Sequence, residues 1–398
     1  MLPVLVICEP FHRLRIGELR EDRIGHLAAN TELWVRLNER NGWPQRMTTI
    51  FAGWGPANRQ LMSMWKRKIC IVEHKMFKLV YSAFEPVLKR TRFHVTLPEM
   101  PVIEHEAFLN CPPALSFTDD ERRRGFDELE SWGVGRDEWF VCFHARDPAY
   151  LAERAGFGVT TNQSTYFDCS IENFIPAMEW VVKQGGVAIR VGHLVQNPLP
   201  DLGDRVIDYA SHHRSDFMDI FLPAHCRYFV GNTSGLFCIA RIFNVPILYT
   251  NHCPYPWAGT RHKRNMDIPK LLRRHADGKI LSVAEIRDLN LLECHRDEPK
   301  RLVKIFKEQT YEELGFEWIE NSSDEILDGC MDIQEMIDGV SSSMEAQRLQ
   351  EIFNDYYVLA PPSPHKGRIS PRFALRHRDL IEPRPVTGNE NLAPNNWS

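Results

Sequence analysis

Short apolar runs alternate with longer amphipathic stretches along most of the 398-residue chain. The first run, at residues 3–7, precedes a polar turn at 23–26 and a helical pattern through Leu27 and Leu33. Because a strand, a glycine turn and a helix open many α/β sheets, we predict a strand at 3–7 and a helix after the turn. The same pattern predicts strands at 47–51, 69–72 and 93–97 and helices at 58–65 and 77–88.

A second α/β unit follows a break in the pattern. Thr118 or Ser116 can cap a helix that starts with acidic residues and runs to about residue 132, where glycines end it. Several apolar runs separated by helical stretches come next and predict a parallel sheet. Its predicted strands are 139–144, 187–191, 206–209, 228–230 and 246–249, and its predicted helices are 171–184, 215–224 and 234–243.

The pattern weakens beyond residue 251, where it predicts helices at 268–274, 283–289 and 342–353 and a disordered tail from residue 383. We therefore divide the chain into three parts. These are an N-terminal α/β domain at 1–130, a C-terminal α/β domain at 131–345, and a C-terminal helix with a tail at 346–398.

Composition narrows the class of protein. The formal net charge is -5 and acids and bases are interspersed, so neither a nucleic-acid partner nor a polybasic lipid-binding run is indicated. The ten cysteines occur singly, without a C-x-x-C pair, which favours a reduced compartment without structural zinc. Since no apolar stretch reaches the roughly 18 to 20 residues of a membrane span, we expect a cytoplasmic protein that is at most peripheral to a membrane.

Two loops after predicted strands carry the strongest candidate chemistry, because open parallel sheets bind ligands beyond the carboxyl ends of their strands. In the first loop, Arg146 follows His144 and offers a fixed fork of donors suited to phosphate oxygens, unless it is only an ion-paired arginine. In the second, glycines let backbone N–H groups approach an anion and hydroxyls donate to phosphate, or merely cap the next helix. This second loop comprises Gly231, Asn232, Thr233, Ser234 and Gly235.

Four further residues are candidates for donor contacts. Arg190 and Gly192 end a predicted strand and fit a surface turn equally well. Ser215 and Asp216 stand at a predicted helix start, where Asp219 follows on the same face. Two carboxylates could bind a metal there, but a serine cap with acids in the first turn explains them without one. No D-x-D triplet occurs, so we predict no metal site and no cofactor.

The sequence lacks several other well-known catalytic motifs. The sequence has no G-x-x-x-x-G-K-[ST], no G-x-G-x-x-G after the first predicted strand, no H-E-x-x-H and no G-x-S-x-G. Kinase, dehydrogenase, zinc-protease and α/β-hydrolase functions therefore lose support.

At these loops the sequence resembles a family of bacterial glycosyltransferases of polysaccharide biosynthesis, over segments 23–28, 143–147, 173–178, 185–192, 215–235 and 244–246. A more distant likeness is to fucosyltransferases of GT-B architecture, in which a His-x-Arg loop meets the donor phosphates and a Ser/Thr-rich turn helps to hold the nucleotide. His144 and Arg146 match the first feature, and Thr233 and Ser234 match the second. Asp147 stands where some of those enzymes carry a second basic residue, so a GDP-sugar is only one of the donors to consider.

The resemblance implies the GT-B fold class, α/β with two Rossmann-like domains facing a cleft. The turn with Arg23, Gly25 and His26 would face that cleft on the acceptor side, and it resembles the Ile-Gly-Asp turn of heptosyltransferases, whose aspartate is the proposed base. His26 occupies that place, and imidazole titrates near neutral pH and so suits proton removal. A structural histidine that caps the following helix is the alternative.

The resulting prediction is an inverting, metal-independent glycosyltransferase, a hexosyl- or deoxyhexosyltransferase. His26 or Asp147 would deprotonate the acceptor, and Arg146 with the 231–235 loop would stabilise the leaving diphosphate. Its partners would be a nucleotide-diphosphate sugar and a glycan, lipid-linked or protein acceptor. A non-catalytic nucleotide-sugar or glycan-binding protein and a GT-B-like epimerase are the alternatives.

Overall fold

The computed structural model describes residues 2–98, 105–147, 165–253, 264–289, 311–356 and 368–382. Helices alternate with strands in both halves of the chain. The N-terminal elements are α1 (Leu2–Cys8), β1 (Arg13–Glu18), α2 (Ile24–Asn41), β2 (Met47–Gly53), α3 (Arg59–Lys66), β3 (Cys70–Glu73), α4 (Lys75–Leu88), β4 (His94–Val95), α5 (His105–Asn110) and α6 (Asp119–Ser131).

The C-terminal elements begin with the central strand of a second sheet. In chain order they are β5 (Phe140–His144), 3-10 turns at Thr165–Phe167 and Ile171–Phe174, α7 (Ile175–Lys183), β6 (Val187–Arg190), β7 (Val206–Asp208), α8 (Tyr209–His212), α9 (Met218–His225), β8 (Tyr228–Gly231), α10 (Phe237–Ile242), β9 (Ile247–His252), β10 (Met266–Pro269), β11 (Leu271–Arg274), α11 (Val283–Asp288), β12 (Phe316–Ile319), α12 (Ser323–Ile337), α13 (Met344–Tyr356), α14 (Pro371–Arg376) and α15 (Arg378–Ile381).

The N-terminal sheet has the strand order β3-β2-β1-β4, and all its neighbouring strands are parallel. After β1 the chain adds β2 and β3 on one side and then returns to place β4 on the other. The strand order therefore reverses between β1 and β4, where loops diverge to opposite sides and leave room for a ligand.

The C-terminal sheet is also parallel and has the order β10-β9-β8-β5-β6-β7. Its order reverses between β5 and β8, again beside its first strand in the chain. Alternate residues of β5 enter two different apolar clusters, with Cys142 on one side and Phe143 on the other. Burial on both faces explains why the strand reads as a continuous apolar run.

Two of our secondary-structure predictions are wrong. Residues 3–7 belong to helix α1, and the first strand is Arg13–Glu18. Leu5 lies in one apolar cluster with Ile16 of that strand, while Val6 and Ile7 are exposed. A short apolar run does not distinguish a strand from a helix. In β1, the charged residues at both ends hide the alternation of apolar and polar positions that would indicate a strand.

The predicted helix at 268–274 is also absent, since this region forms β10 and β11. Met266 and Ile268, two residues apart, are buried as a strand beside β9, and Pro269 ends that strand. The next strand, Leu271–Arg274, turns away to pair antiparallel with β12.

The remaining predicted elements that lie within the described residues are confirmed, with shifted ends. The helices after β7 and β8 begin at Met218 and Phe237, three residues later than predicted, and β4 is only two residues long. Thr118 caps α6 in a capping box. The predicted tail from residue 383 lies outside the described residues. The nine cysteines of the described residues are free thiols.

The two halves of the chain are joined by buried polar contacts. Arg36 of α2 pairs with Glu32 at 2.7 Å and donates to the carbonyl of Ile242 (2.6 Å) and to Asn244 Oδ1 (3.1 Å). One apolar cluster contains residues of both sheets, for example Phe51 and Phe229.

The described helices include none that is long and apolar enough to cross a bilayer.

Candidate functional site

The first two candidate loops meet where the C-terminal sheet reverses its strand order. His144 ends β5, Gly231 ends β8, and the two residues are partners in the parallel register. A Cβ at Gly231 would lie 2.8 Å from the His144 carbonyl oxygen, so only glycine fits there. In doubly wound sheets this reversal point is where ligands bind.

Asn232 ties the two loops together. Its Oδ1 accepts a hydrogen bond from the Arg146 backbone N–H at 2.9 Å, and its Nδ2 donates to the carbonyl of Phe167. The side chain is 1% exposed, so breaking either bond would leave a buried polar atom without its partner. Asn232 therefore fixes the backbone beneath Arg146.

The Arg146 side chain is held between an aromatic ring and a carboxylate. Its guanidinium lies 5.1 Å from the centre of the Phe167 ring, and Nε is 3.3 Å from Asp168 Oδ1. Burial lowers the pKa of Arg146, but a guanidinium stays charged at any physiological pH. The sequence left open whether Arg146 binds phosphate or is only ion-paired. In the structure it is ion-paired with Asp168 and also lies where the strand order of the C-terminal sheet reverses.

Asp168 and Lys270 belong to this cluster, and the sequence patterns predicted neither of them. Lys270 Nζ donates to the carbonyls of Tyr166 and Asp168, each at 2.9 Å, although the residues are far apart in the chain. Burial raises the pKa of Asp168 to about 6, outweighing the opposite effect of Arg146 and Lys270. The only local signal was an acid after two aromatic residues, which is too common to identify a site.

His144 is a neutral, buried side chain. Its Nδ1 donates to the Val191 carbonyl at 2.9 Å. Burial, together with the smaller effect of the Arg190 and Arg146 charges, lowers the pKa of His144 to about 4. A neutral imidazole in a fixed tautomer orients the strand end and is not a cation for phosphate.

Arg190, Gly192 and Asp147 lie around the neighbouring loop after β6. Arg190 is buried, donates to the Asn197 carbonyl at 2.7 Å and lies 3.4 Å from Asp208. Asp147 Oδ2 accepts from the Gln196 backbone N–H at 2.7 Å. A Cβ at Gly192 would lie 3.1 Å from Val195. These contacts hold the loop after β6 beside Arg146.

Ser215 and Asp216 are engaged elsewhere. Ser215 Oγ accepts from the Met218 backbone N–H at 3.2 Å, as a helix start requires. Asp216 Oδ2 accepts from the Arg59 backbone N–H at 2.8 Å, and its carbonyl accepts from Asn58 Nδ2 at 2.8 Å. Within the described part of the chain, these two side chains therefore contact helix ends and not Arg146.

The N-terminal turn packs directly against the 231–235 loop. A Cβ at Gly25 would lie 3.0 Å from Gly235 Cα, and a Cβ at Gly235 would lie 2.7 Å from the Ile24 side chain. These two turns, predicted from the sequence as the acceptor side and the donor side, are about 200 residues apart in the chain. In the structure their backbones are in contact. Arg23 is also near enough for its charge to lower the pKa of Arg146.

The hydroxyls of the 231–235 loop do not cap the next helix. Leu236 occupies the cap position of α10, and no side chain accepts a capping hydrogen bond there. The Ser234 hydroxyl is buried without a hydrogen-bond partner among the described residues. The loop therefore does not act as a helix cap. The Ser234 hydroxyl remains available to a ligand oxygen.

His26 lies in the first turn of α2, and its neighbours determine its tautomer. Asn30 Nδ2 donates to the Pro98 carbonyl at 2.8 Å, so Asn30 Oδ1 must face His26 Nδ1, which is 3.2 Å away. An oxygen acceptor at that position requires a proton on Nδ1. In the neutral ring, Nε2 then carries the lone pair that a base needs.

The described residues contain no group of three or more His, Cys, Asp or Glu side chains arranged to hold a metal ion.

The sequence matches no protein-family model and no curated protein. Among solved structures, the chain is similar to ADP-heptose lipopolysaccharide heptosyltransferase II of E. coli, with 14% identity, TM-score 0.44, and coverage of 64% of this chain and 90% of that one. It is also similar to a family 9 glycosyl transferase from Veillonella parvula, with 9% identity, TM-score 0.46, and coverage of 81% and 97%. An E. coli heptosyltransferase solved with ADP has 9% identity, TM-score 0.33, and coverage of 65% and 91%.

Proposed function

We propose that this protein is a glycosyltransferase that moves a sugar from a nucleotide-diphosphate donor to an acceptor hydroxyl. One observation carries the proposal. The turn at 23–26, beside the strand-order reversal of the N-terminal sheet, contacts the 231–235 loop at the reversal of the C-terminal sheet. A donor held at one reversal would therefore lie next to an acceptor held at the other.

The donor side would consist of Arg146 and the 231–235 loop. The departing diphosphate gains negative charge as the glycosidic bond breaks, and a fixed cation in a partly buried site stabilises that charge. The buried Ser234 hydroxyl and the loop backbone would add hydrogen bonds to phosphate. Arginine would thus do the work that a metal does in other glycosyltransferases. GDP-sugars are one donor class to test among several.

The acceptor side would consist of Arg23, Gly25 and His26. In an inverting transfer, the acceptor oxygen attacks the anomeric carbon from the face opposite the leaving diphosphate, and its proton passes to a base. The lone pair on His26 Nε2 suits that role. Asp147 is the second candidate base, but its Oδ2 already accepts from the Gln196 backbone N–H.

A donor screen followed by one substitution tests the proposal. Thermal shifts with GDP-, UDP-, dTDP-, CMP- and ADP-sugars identify the donor, and donor turnover is then measured in the wild type and in Arg146→Ala. We expect the substitution to lower turnover by roughly 100-fold or more, as the loss of one fixed charge-stabilising group does. Arg205→Ala is the matched control, because Arg205 is an ion-paired arginine that contacts Glu138 away from this site.

Unchanged turnover in Arg146→Ala would refute the assignment of the donor site. Donor binding without hydrolysis or transfer, whatever the acceptor, would instead indicate a non-catalytic binding protein. Conversion of the donor sugar without any acceptor would indicate an epimerase.

A further inference from the structure

Helix α4 has an apolar face that points to solvent. Five of its large apolar residues are 44% to 59% exposed, and the last four lie 3, 4, 8 and 11 residues after the first, which places all five on one side of the helix. The opposite side is buried through Tyr81 and Leu88. The exposed residues are Met76, Leu79, Val80, Phe84 and Val87. We refer to these five residues as the α4 face.

Other exposed apolar residues belong to elements next to α4. Leu5 of α1 shares a cluster with Tyr81 and Leu88, and the residues after it in α1, Val6 and Ile7, are 54% and 69% exposed. Trp54, half exposed, follows β2. Its backbone N–H donates to the same Glu21 oxygen that contacts Lys78 of α4. Further exposed apolar side chains therefore lie on elements that are linked to α4 through its buried side and through Lys78.

Cations border the α4 face. Residues 75–92 contain five lysines and arginines against one acid, in a chain whose formal net charge is -5. Three of the five are ion-paired: Lys78 with Glu18 and Glu21, Lys89 with Glu85, and Arg92 with Glu9. Lys75 begins the helix, and Lys89, Arg90 and Arg92 follow its end, all exposed. Lys89, Arg90 and Arg92 lie within four residues of one another, a run too short to be polybasic, and the net charge of the whole chain does not reveal them.

We propose that the α4 face docks on the surface of an anionic lipid bilayer. Exposed apolar side chains flanked by cations match a membrane interface, where the side chains enter the headgroup region and the cations meet lipid phosphates. A second copy of the chain is a poorer occupant, since a symmetric contact would bring two sets of like charges together. The proposal concerns a surface outside the candidate site and does not depend on the proposed activity.

Co-sedimentation with vesicles tests the docking and needs no sugar donor. The full chain is mixed with phosphatidylcholine vesicles with and without phosphatidylglycerol. We expect binding to the anionic vesicles that weakens as salt is raised. The triple variant Met76→Ser, Leu79→Ser, Phe84→Ser should bind at least roughly tenfold more weakly, since each apolar side chain adds to the transfer free energy.

The matched control is Val340→Ser with Met344→Ser, because both residues are exposed apolar side chains outside the α4 face. This variant should bind vesicles like the wild type, and circular dichroism should show that both variants are folded. Wild-type protein that stays in the supernatant with anionic vesicles would overturn the proposal, as would equal binding by the triple variant. Light scattering that shows a dimer, lost only in the triple variant, would assign the face to a second copy instead.

Discussion

The two strand-order reversals have similar topology but differ in how firmly their loops are held. At the C-terminal reversal, Asn232 links the Arg146 backbone to the Phe167 carbonyl, and Lys270 donates to the carbonyls of Tyr166 and Asp168. At the N-terminal reversal, Arg23 is half exposed, and Asn30 is the one side chain among the described residues that hydrogen-bonds to His26. One side of the site is built with a fixed geometry, and the other is more open.

This difference fits the two partners that we propose. A diphosphate has the same shape in every donor molecule, so a rigid, pre-organised loop binds it with little loss of conformational entropy. Acceptors differ more in size and shape, and an exposed turn with a base at its edge accommodates them. Substitutions on the two sides should therefore have different kinetic consequences.

The largest effect is expected on the open side. His26→Ala should lower kcat by about 10²–10⁴-fold, the range that a general base contributes, and leave the donor Kd unchanged. Steady-state kinetics measure kcat, and calorimetric titration measures the donor Kd. The control is His12→Ala, because His12 is an exposed histidine just before β1. If the donor Kd weakens in parallel, His26 belongs to the donor side. If Asp147→Asn loses kcat while His26→Ala does not, Asp147 is the base.

The next effect concerns the buried side and its stability. Burial lowers the pKa of His144 to about 4, so between pH 6.5 and pH 4 the unfolded chain binds a proton that the folded protein does not. Acidification through this range should thus remove up to about 3 kcal/mol from the free energy of unfolding.

His144→Asn keeps the Nδ donor to Val191 but does not titrate. Its stability relative to wild type, measured by urea denaturation, should therefore improve as the pH falls from 7 to 4. A difference that stays constant with pH would contradict the neutral, buried state of His144.

A smaller effect is expected where the two sides meet. Gly235→Ala would place a Cβ 2.7 Å from Ile24 and should lower the free energy of unfolding by about 1–3 kcal/mol, as overpacking does. Gly53→Ala is the control, because its nearest neighbour would be an ordinary 3.5 Å away. If thermal denaturation shows the same stability for both variants, the contact between the two turns is looser than described.

The smallest effect concerns Asp168, whose pKa is raised to about 6 by burial. Above pH 6 its carboxylate competes with a diphosphate for Arg146, and below pH 6 it is protonated. Donor affinity should therefore rise several-fold from pH 7 to pH 5 in the wild type. Asp168→Asn should be tighter at pH 7 and insensitive to pH over this range. A wild-type affinity that falls with acidification would reverse the assignment.

Much of the architecture could be predicted from local patterns. The predicted strands at 139–144, 187–191 and 228–230 are confirmed within about one residue, because doubly buried strands are short, apolar and bounded by glycine or polar turns. The strand at Arg13–Glu18 could not be found in this way. Its charged residues find partners such as Glu9 for Arg15 only in the folded chain.

The residues of the candidate site also fall into those that local sequence patterns predicted and those that they did not. Arg146 and the 231–235 loop were predicted because their types and positions after strands are local features. Asp168 and Lys270 join the site through hydrogen bonds and charges between residues about 100 apart, and the sequence around each gives no sign of this. The assignments of Ser215 and Asp216 to the donor remain predictions, although their observed contacts are with helix ends.

By itself, the sequence determined the alternation of strands and helices and the residues at the strand ends, since period, apolar run length and turn chemistry act over a few residues. Only the tertiary structure decided which strand ends are neighbours, which tautomer His26 adopts, and that Gly25 lies against Gly235. Those properties depend on strand order and on burial. Both arise from contacts between distant segments, which a local pattern cannot encode.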